Sequence, residues 1–273
     1  MMKTLNSGLR AGLCLIIALL FTNQTYAQRI NVNPTILNYN APSGGSAVQL
    51  ITLTNLSDQD QTYQLSLGDW RRDSVGGHQY FAPGTTGRSC APWITFDNPT
   101  VSVAAGKSKE VRVTLNAPQA AAPDEMKWAM IFIQNVVEQN GGAGKNAKMA
   151  ATIKEVYRIG VHVYQTPPEA NIKAAKAISL ERDKTEANAY NFTMNNTGKS
   201  MLECKVRLVL TNLADGSEIK LDESEFPVFP DGHRILKLTV PNTVPKGKYS
   251  MLAILDYDPD MPLEAIEKPL EIK

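Results

Sequence analysis

Histidine and cysteine are scarce in this chain: three of each in 273 residues. The histidines, His78, His162 and His233, lie far apart, so a zinc or acid–base cluster would need distant loops to converge. Excess charge of either sign is missing as well. The 28 Lys and Arg are nearly matched by 27 Asp and Glu, leaving a formal charge of +1, which gives no basic footprint for nucleic acid. The chain also lacks a Gly-x-Ser-x-Gly elbow, a His-Glu-x-x-His pair, a phosphate-cradling Gly-x-x-x-x-Gly-Lys-Ser/Thr loop and a Cys-x-x-Cys. These absences point away from an enzyme and imply no cofactor and no resident metal.

Long hydrophobic runs are limited to the start. Lys3 and Arg10 precede the apolar stretch Ala11–Phe21, which is too short to span a bilayer. Thr25 and Ala27 stand at the −3 and −1 positions of a signal-peptidase site, so residues 1–27 read as a signal peptide and Gln28 as the mature N-terminus. Leu13 before Cys14 stands where a lipoprotein signal has a small residue, which argues against a lipid anchor. Cys90 and Cys204 then reside in an oxidising compartment, where pairing is allowed but not required. Cys204 shares an alternating face with Leu202, Val206, Leu208 and Leu210, which reads as a buried core thiol.

What is present is β-structure. Alternating and β-branched runs bounded by Gly, Pro, Asn and Asp recur, and no mature segment sustains a helical period for a dozen residues. Strands are expected near Ile30–Leu37, Val48–Asn55, Thr62–Leu67, Gln79–Phe81, Trp93–Phe96, Glu110–Leu115, Trp128–Val137 and Ile153–Tyr164. A second set is expected near Ala177–Glu181, Tyr190–Asn195, Leu202–Leu210, Glu218–Leu221, Ile235–Val240, Tyr249–Asp256 and Leu270–Ile272. Each half thus carries the strand number of an immunoglobulin-like sandwich.

The halves also echo each other. Thr52-Leu-Thr-Asn55 corresponds to Thr193-Met-Asn-Asn196, Gly106 to Gly232 before a strand, and Lys127-Trp-Ala-Met-Ile131 to Lys248-Tyr-Ser-Met-Leu252. The fold class is all-β, two immunoglobulin-like sandwiches in tandem, with domains at 28–166 and 167–273 around the stiff Gln165-Thr-Pro-Pro-Glu169. His162 alternates with Arg158 and Gly160 and is expected to face outward. Asp256, Asp258, Asp260 and Glu267 have calcium-loop spacing, but Met261 replaces the turn glycine and Pro259 and Pro262 interrupt the loop. A polar hairpin is the preferred reading.

The signal peptide, the paired sandwiches, Pro34-Thr-Ile-Leu-Asn-Tyr39, Val48-Gln-Leu-Ile-Thr-Leu-Thr-Asn55, the Trp128–Val137 strand, and the long loop before Arg158-Ile-Gly-Val-His-Val-Tyr164 together resemble the periplasmic chaperones of chaperone-usher pilus assembly. The resemblance spans nearly all of the mature chain and is strongest over residues 28–166. It implies a periplasmic protein whose first domain lends a strand to a pilus or surface-fibre subunit, with an outer-membrane assembly protein as a further partner. By register the donating positions are Met149, Ala151 and Ile153, after the glycine-rich Asn140–Gly144 segment. The family's two carboxylate-anchoring cations fall on Ile36 and Gly160, which leaves Arg158, Lys154 or Arg29 as substitutes. The competing reading is an envelope or cell-surface interaction module with the same fold and no chaperone activity.

Overall fold

The computed structural model describes residues 30–135 and 158–273. The first part of the chain contributes β1 (Ile30–Asn33), β2 (Ile36–Tyr39), β3 (Ser46–Asn55), β4 (Gln61–Arg72), β5 (His78–Phe81), β6 (Ile94–Phe96), β7 (Thr100–Val103), β8 (Ser108–Asn116), β9 (Lys127–Asn135) and β10 (Arg158–Gln165). The second contributes β11 (Ala175–Arg182), β12 (Ala189–Asn196), β13 (Leu202–Asn212), β14 (Glu218–Lys220), β15 (Ser224–Val228), β16 (His233–Thr239), β17 (Gly247–Asp256) and β18 (Glu264–Ile272). Among the described residues the sole helical turn is a 3-10 turn at Ala91–Trp93, where a strand start is expected from sequence.

Two sandwiches result. In the first, a sheet ordered β1-β3-β8-β6 packs on a sheet ordered β2-β10-β9-β4-β5, with β7 also on β4. In the second, β11-β12-β16 packs on β14-β13-β17-β18, with β15 on β13. Each has its own core: Leu37, Ile51, Leu53, Val113, Leu115, Ile131 and Val163 in one, Phe192, Val206, Leu210, Met251 and Leu255 in the other. Cys204 lies in the second core beside Leu202, Val206, Leu208 and Leu210, as its alternation requires. Cys90, in an irregular stretch, is equally buried in the first core, and both thiols are free.

Three departures from the alternation pattern have local causes. The run Ile30–Leu37 is two strands, because Pro34 has no N–H for a ladder; β1 pairs with β3 in one sheet while β2 runs parallel to β10 in the other. The strand β7 is only four residues long, and β15 contains Pro227, which an edge strand tolerates when its missing N–H faces away from the neighbour. The strand β4 continues past Leu67 to Arg72, and alternation is lost at Gly68–Trp70, where both faces are covered.

The internal repeat is carried by one side-chain device. Asn55 is fully buried; its amide donates to the carbonyls of Gln59 (2.7 Å) and Val103 (3.0 Å), and its Oδ1 accepts from the Ser57 N–H (3.0 Å). Asn196 does the same in the second sandwich, donating to Ser200 O (2.8 Å) and Val228 O (2.9 Å) and accepting from Gly198 N–H (2.8 Å). Each also donates its backbone N–H to the turn before the next strand, Asn55 to Lys107 O and Asn196 to Gly232 O, both at 2.9 Å. A buried amide with every polar atom satisfied pins the end of one strand to a second strand.

The sandwiches touch through a small set of groups. Phe229, in the turn after β15, enters an aromatic cluster of the first sandwich. Around it, Arg88 grips Asp231 through Nε (2.9 Å) and Nη2 (2.6 Å), Lys199 pairs with Asp124 at 3.4 Å, and the Ile235 N–H donates to Ser74 O at 2.7 Å. The acidic run near the end is a hairpin turn between β17 and β18: Asp258 accepts from Lys173 and from the Asp260 N–H, while Glu267 pairs up the strand with Ser250. Among the described residues no group of three His, Cys, Asp or Glu could hold a metal.

Candidate functional site: the outward face and open edge of the first domain

The sheet β2-β10-β9-β4-β5 turns one face to its own core and the other toward the second sandwich. Alternation sends Ile159, Val161 and Val163 of β10 into the core and Arg158, Gly160, His162 and Tyr164 to the outward face. Cross-strand register then sets Gly160 opposite Phe132, His162 opposite Met130 and Tyr164 opposite Trp128. Trp70 and Arg72 continue the same face on β4, opposite Tyr80 and His78 of the edge strand β5.

This face is an aromatic platform. Phe229 packs on Trp128 at 4.9 Å, Trp70 at 5.0 Å and Tyr164 at 5.6 Å between ring centroids. Trp70 is fully buried beneath it, its indole N–H donating to Ala129 O at 3.1 Å, and Trp128 returns the favour to Trp70 O at 2.8 Å. Toward β5 the rings continue through His78, stacked on Tyr80 at 6.0 Å, to Phe132, met edge-on by Tyr80 at 5.5 Å. Both faces of β9 are therefore buried from Trp128 to Ile133, and that unbroken apolar run is the signal that a second surface covers the sheet.

His162 lies on the outward face, as its alternation implies. It does leave the sandwich core, but it is half-buried under other rings, 4.7 Å from Trp70 and 5.6 Å from His78 between centroids. Two histidines 84 positions apart thus converge through strand register, which spacing alone conceals. Burial, then His78, then Arg72 push the His162 pKa down to about 4. Burial and Arg72 likewise lower His78, with Asp73 opposing. His162 is neutral near pH 7, and its Nδ1 is buried without a hydrogen-bond partner. His233 stays apart, bonded to Asn195 Oδ1 at 2.7 Å. Burial raises the thiol pKa of both cysteines, that of Cys204 to about 12, which leaves no reactive thiolate.

The two anchor positions are filled by structure. A Cβ at Gly160 would come within 2.8 Å of Met130 Sδ, so the thioether occupies the space where a longer side chain would begin. Ile36, on β2 beside His162, is 46% exposed. Of the substitutes, Arg158 is exposed at the start of β10, with its guanidinium 3.5 Å above the Phe132 ring centroid, a cation–π contact. Among the described residues it has no carboxylate partner. Met149, Ala151, Ile153, Lys154 and Arg29 lie outside the described residues.

The backbone of β10 supplies the remaining feature. On its inner side β9 pairs with all of Arg158–Gln165. On its outer side β2 covers only His162–Gln165, with the His162 N–H donating to Thr35 O at 2.9 Å. The backbone groups of Arg158 and Gly160 point the same way by alternation and meet no strand among the described residues.

Comparison with known proteins agrees with this architecture. A model of an Fn3-like domain matches residues 44–145, less than half of the chain. No curated protein matches in sequence. Among solved structures, a chaperone–tip adhesin complex of CFA/I fimbriae biogenesis aligns with a TM-score of 0.50 at 12% identity, over 89% of this chain and 98% of that one. The class 5 fimbriae chaperone CfaA aligns at 0.48 and 11% identity over 89% and 99% of the two chains. The CsuC–CsuE chaperone–tip subunit complex of Acinetobacter baumannii aligns at 0.48 and 11% over 88% and 98%. The first of these shows the shared fold, two immunoglobulin-like sandwiches in tandem.

Proposed function

We propose that this chain is a periplasmic chaperone-like protein that holds subunits of a surface fibre by β-augmentation along the outer edge of β10, extending N-terminally through Met149, Ala151 and Ile153. The observation that carries the reading is the outer edge at Arg158–Val161, which meets no strand among the described residues because β2 begins only at Ile36. An incoming strand there gains main-chain hydrogen bonds. The odd-numbered positions of β10 face the sandwich interior, and Met149, Ala151 and Ile153 continue that parity. Arg158 stands at the same edge with its guanidinium unpaired by any described carboxylate, which suits it to hold a client carboxylate, with Lys154 and Arg29 as the other cations to test. Export through residues 1–27, with cleavage after Ala27, and a domain division at 166/167 belong to the same reading, as does an outer-membrane assembly partner.

The test begins with a pull-down of the client from a periplasmic extract, followed by calorimetry on purified partners. Ile153→Asp places a charge where augmentation keeps water out and is expected to weaken binding by several kcal/mol. Arg158→Ala is expected to cost up to about 3 kcal/mol. Circular dichroism checks that both variants fold. Wild-type binding by both variants overturns strand donation at this edge and favours the envelope-module reading.

A further inference from the structure

The domain junction holds a second feature, which is independent of the client. Between the β4–β5 hairpin and the β15–β16 turn lies a cavity of about 330 Å³, lined by Arg71, Arg72 and Asp73 on one side and Asp231 and Arg234 on the other. Arg72 and Arg234 come from different sandwiches and rest on one glycine. The Arg72 Nη1 donates to Gly76 O at 3.1 Å and the Arg234 Nη1 to Ser74 O at 3.3 Å. A Cβ on Gly76, whose φ is +97°, would lie 2.3 Å from both terminal nitrogens of Arg234, so only glycine lets that guanidinium lie down here.

Two like charges are therefore held close together and partly out of water. Neither has a carboxylate within ion-pair reach among the described residues, and the Nε of each is buried without an acceptor. Charges so placed are costly unless an opposite charge joins them. The surrounding acids are engaged elsewhere. Asp231 is gripped by Arg88, and Asp73 caps its own hairpin by accepting from the N–H groups of Val75 (3.0 Å) and Gly77 (2.8 Å). Glu203 acts on Arg72 from β13, yet its own carboxyl is raised by burial more than Arg72 restores. Arg72 also depresses Arg234, after burial, with Asp73 opposing.

We infer that the junction binds a small oxyanion, phosphate or a compact carboxylate, clamped between Arg72 and Arg234, and that this anion staples the two sandwiches together. Guanidinium forks suit such ligands because two parallel N–H groups match two oxygens. A ligand that binds only the assembled junction stabilises the folded, docked state by RT ln(1 + [L]/Kd), which keeps growing with the logarithm of its concentration once the site is full.

The probe is inorganic phosphate, with sodium malonate as the carboxylate arm, each compared with sodium chloride at matched ionic strength. Thermal unfolding of the wild-type chain is expected to show a rise in Tm with either anion that is steep at low concentration and then only logarithmic, and 31P line broadening of phosphate reports binding directly. R72Q and R234Q are expected to weaken binding at least tenfold and to remove the steep rise at low anion concentration. R112Q, an exposed arginine on β8, is expected to keep both. If a variant does not fold, R72K and R234K retain the charge, lose the fork, and are still expected to bind several-fold more weakly. A Tm rise that is linear in anion and equal in all variants is the general salting-out effect and overturns the proposal. So does a wild-type chain that leaves the 31P line unchanged.

Discussion

The two sandwiches share a fastening and differ in an outward face. Asn55 and Asn196 use the same three contacts to pin a strand end, and both sit at the end of a Thr-containing strand before a polar turn. The aromatic platform has no counterpart in the second sandwich, whose contribution to the junction is a turn that inserts Phe229 and presents Asp231 and Arg234. What is common to both halves is what an immunoglobulin-like sandwich needs to close; what one half has alone is where that half meets something else. On that division, substitutions in the shared device should act alike in both halves, and those in the platform should act on docking.

The largest expected effect falls on the shared device. Asn196→Ala leaves the Ser200 and Val228 carbonyls and the Gly198 N–H without their partner in a dry site, at a cost of about 3 kcal/mol. Asn55→Ala should cost a similar amount for the same reason. Urea unfolding followed by tryptophan fluorescence reports the first sandwich, which holds Trp70, Trp93 and Trp128, and far-UV circular dichroism reports both. A loss in one half much smaller than in the other breaks the equivalence.

Phe229→Ala sharpens the contrast. The ring touches Trp70, Trp128 and Tyr164 of the first sandwich, in a cluster that Met201 of the second also packs against. Truncation is expected to cost about 3 kcal/mol, near the low end for a buried phenylalanine because water can enter the opened junction. Calorimetry should show the two sandwiches unfolding less cooperatively than in the wild type. An unchanged single transition contradicts a docking role for this ring.

Much of this was legible in sequence, and the remainder was hidden for identifiable reasons. Alternation reveals nearly every long strand, and the Thr52–Asn55 and Thr193–Asn196 match marks equivalent strand ends, whereas the burial and contacts of their asparagine amides are visible only in three dimensions. Pro227 concealed β15, and shortness concealed β7. The approach of His162 to His78 depends on β10, β9, β4 and β5 lying in order across one sheet, which no local pattern encodes. Arg72 and Arg234 lie 162 positions apart, and their meeting is a property of the domain junction. Met130 over Gly160 is likewise a register effect: the anchor position is recognisable as a departure in sequence, but the thioether that fills it is seen only in three dimensions.

The next effect is a slope with pH. His162 has a folded pKa of about 4 against 6.5 for an unperturbed imidazole, so between these values the unfolded chain binds the extra proton. Its contribution is therefore fully present above about pH 6.5 and is lost as pH falls toward 4. His162→Gln removes the titration, and its Tm should vary less than that of the wild type across this window. Equal slopes would place the acid sensitivity in carboxylates of either sandwich rather than in the platform.

The smallest effect tests one turn in both halves. The turn hydrogen bonds correct the sequence match by one position, pairing Gly232 with Lys107, so Gly106 and Asp231 occupy equivalent places before the strands β8 and β16, with φ of 64° and 62°. The first sandwich uses glycine, which adopts this left-handed conformation freely, whereas the second uses an aspartate, which does so at some cost. The aspartate faces Arg88 across the junction in a pair whose side chains are 17% and 75% exposed, a setting worth about 0.5 kcal/mol. Asp231→Gly loses the pair and relaxes the backbone, so the net change should stay within about 1 kcal/mol, while Asp231→Ala loses the pair and keeps the strain. Urea midpoints at low and high salt separate the contributions: the wild-type advantage from Arg88 should shrink with salt, and the gap between the glycine and alanine variants should not. A salt-sensitive gap between those two variants would mean that Asp231 is retained for charge alone and that the turn carries no strain.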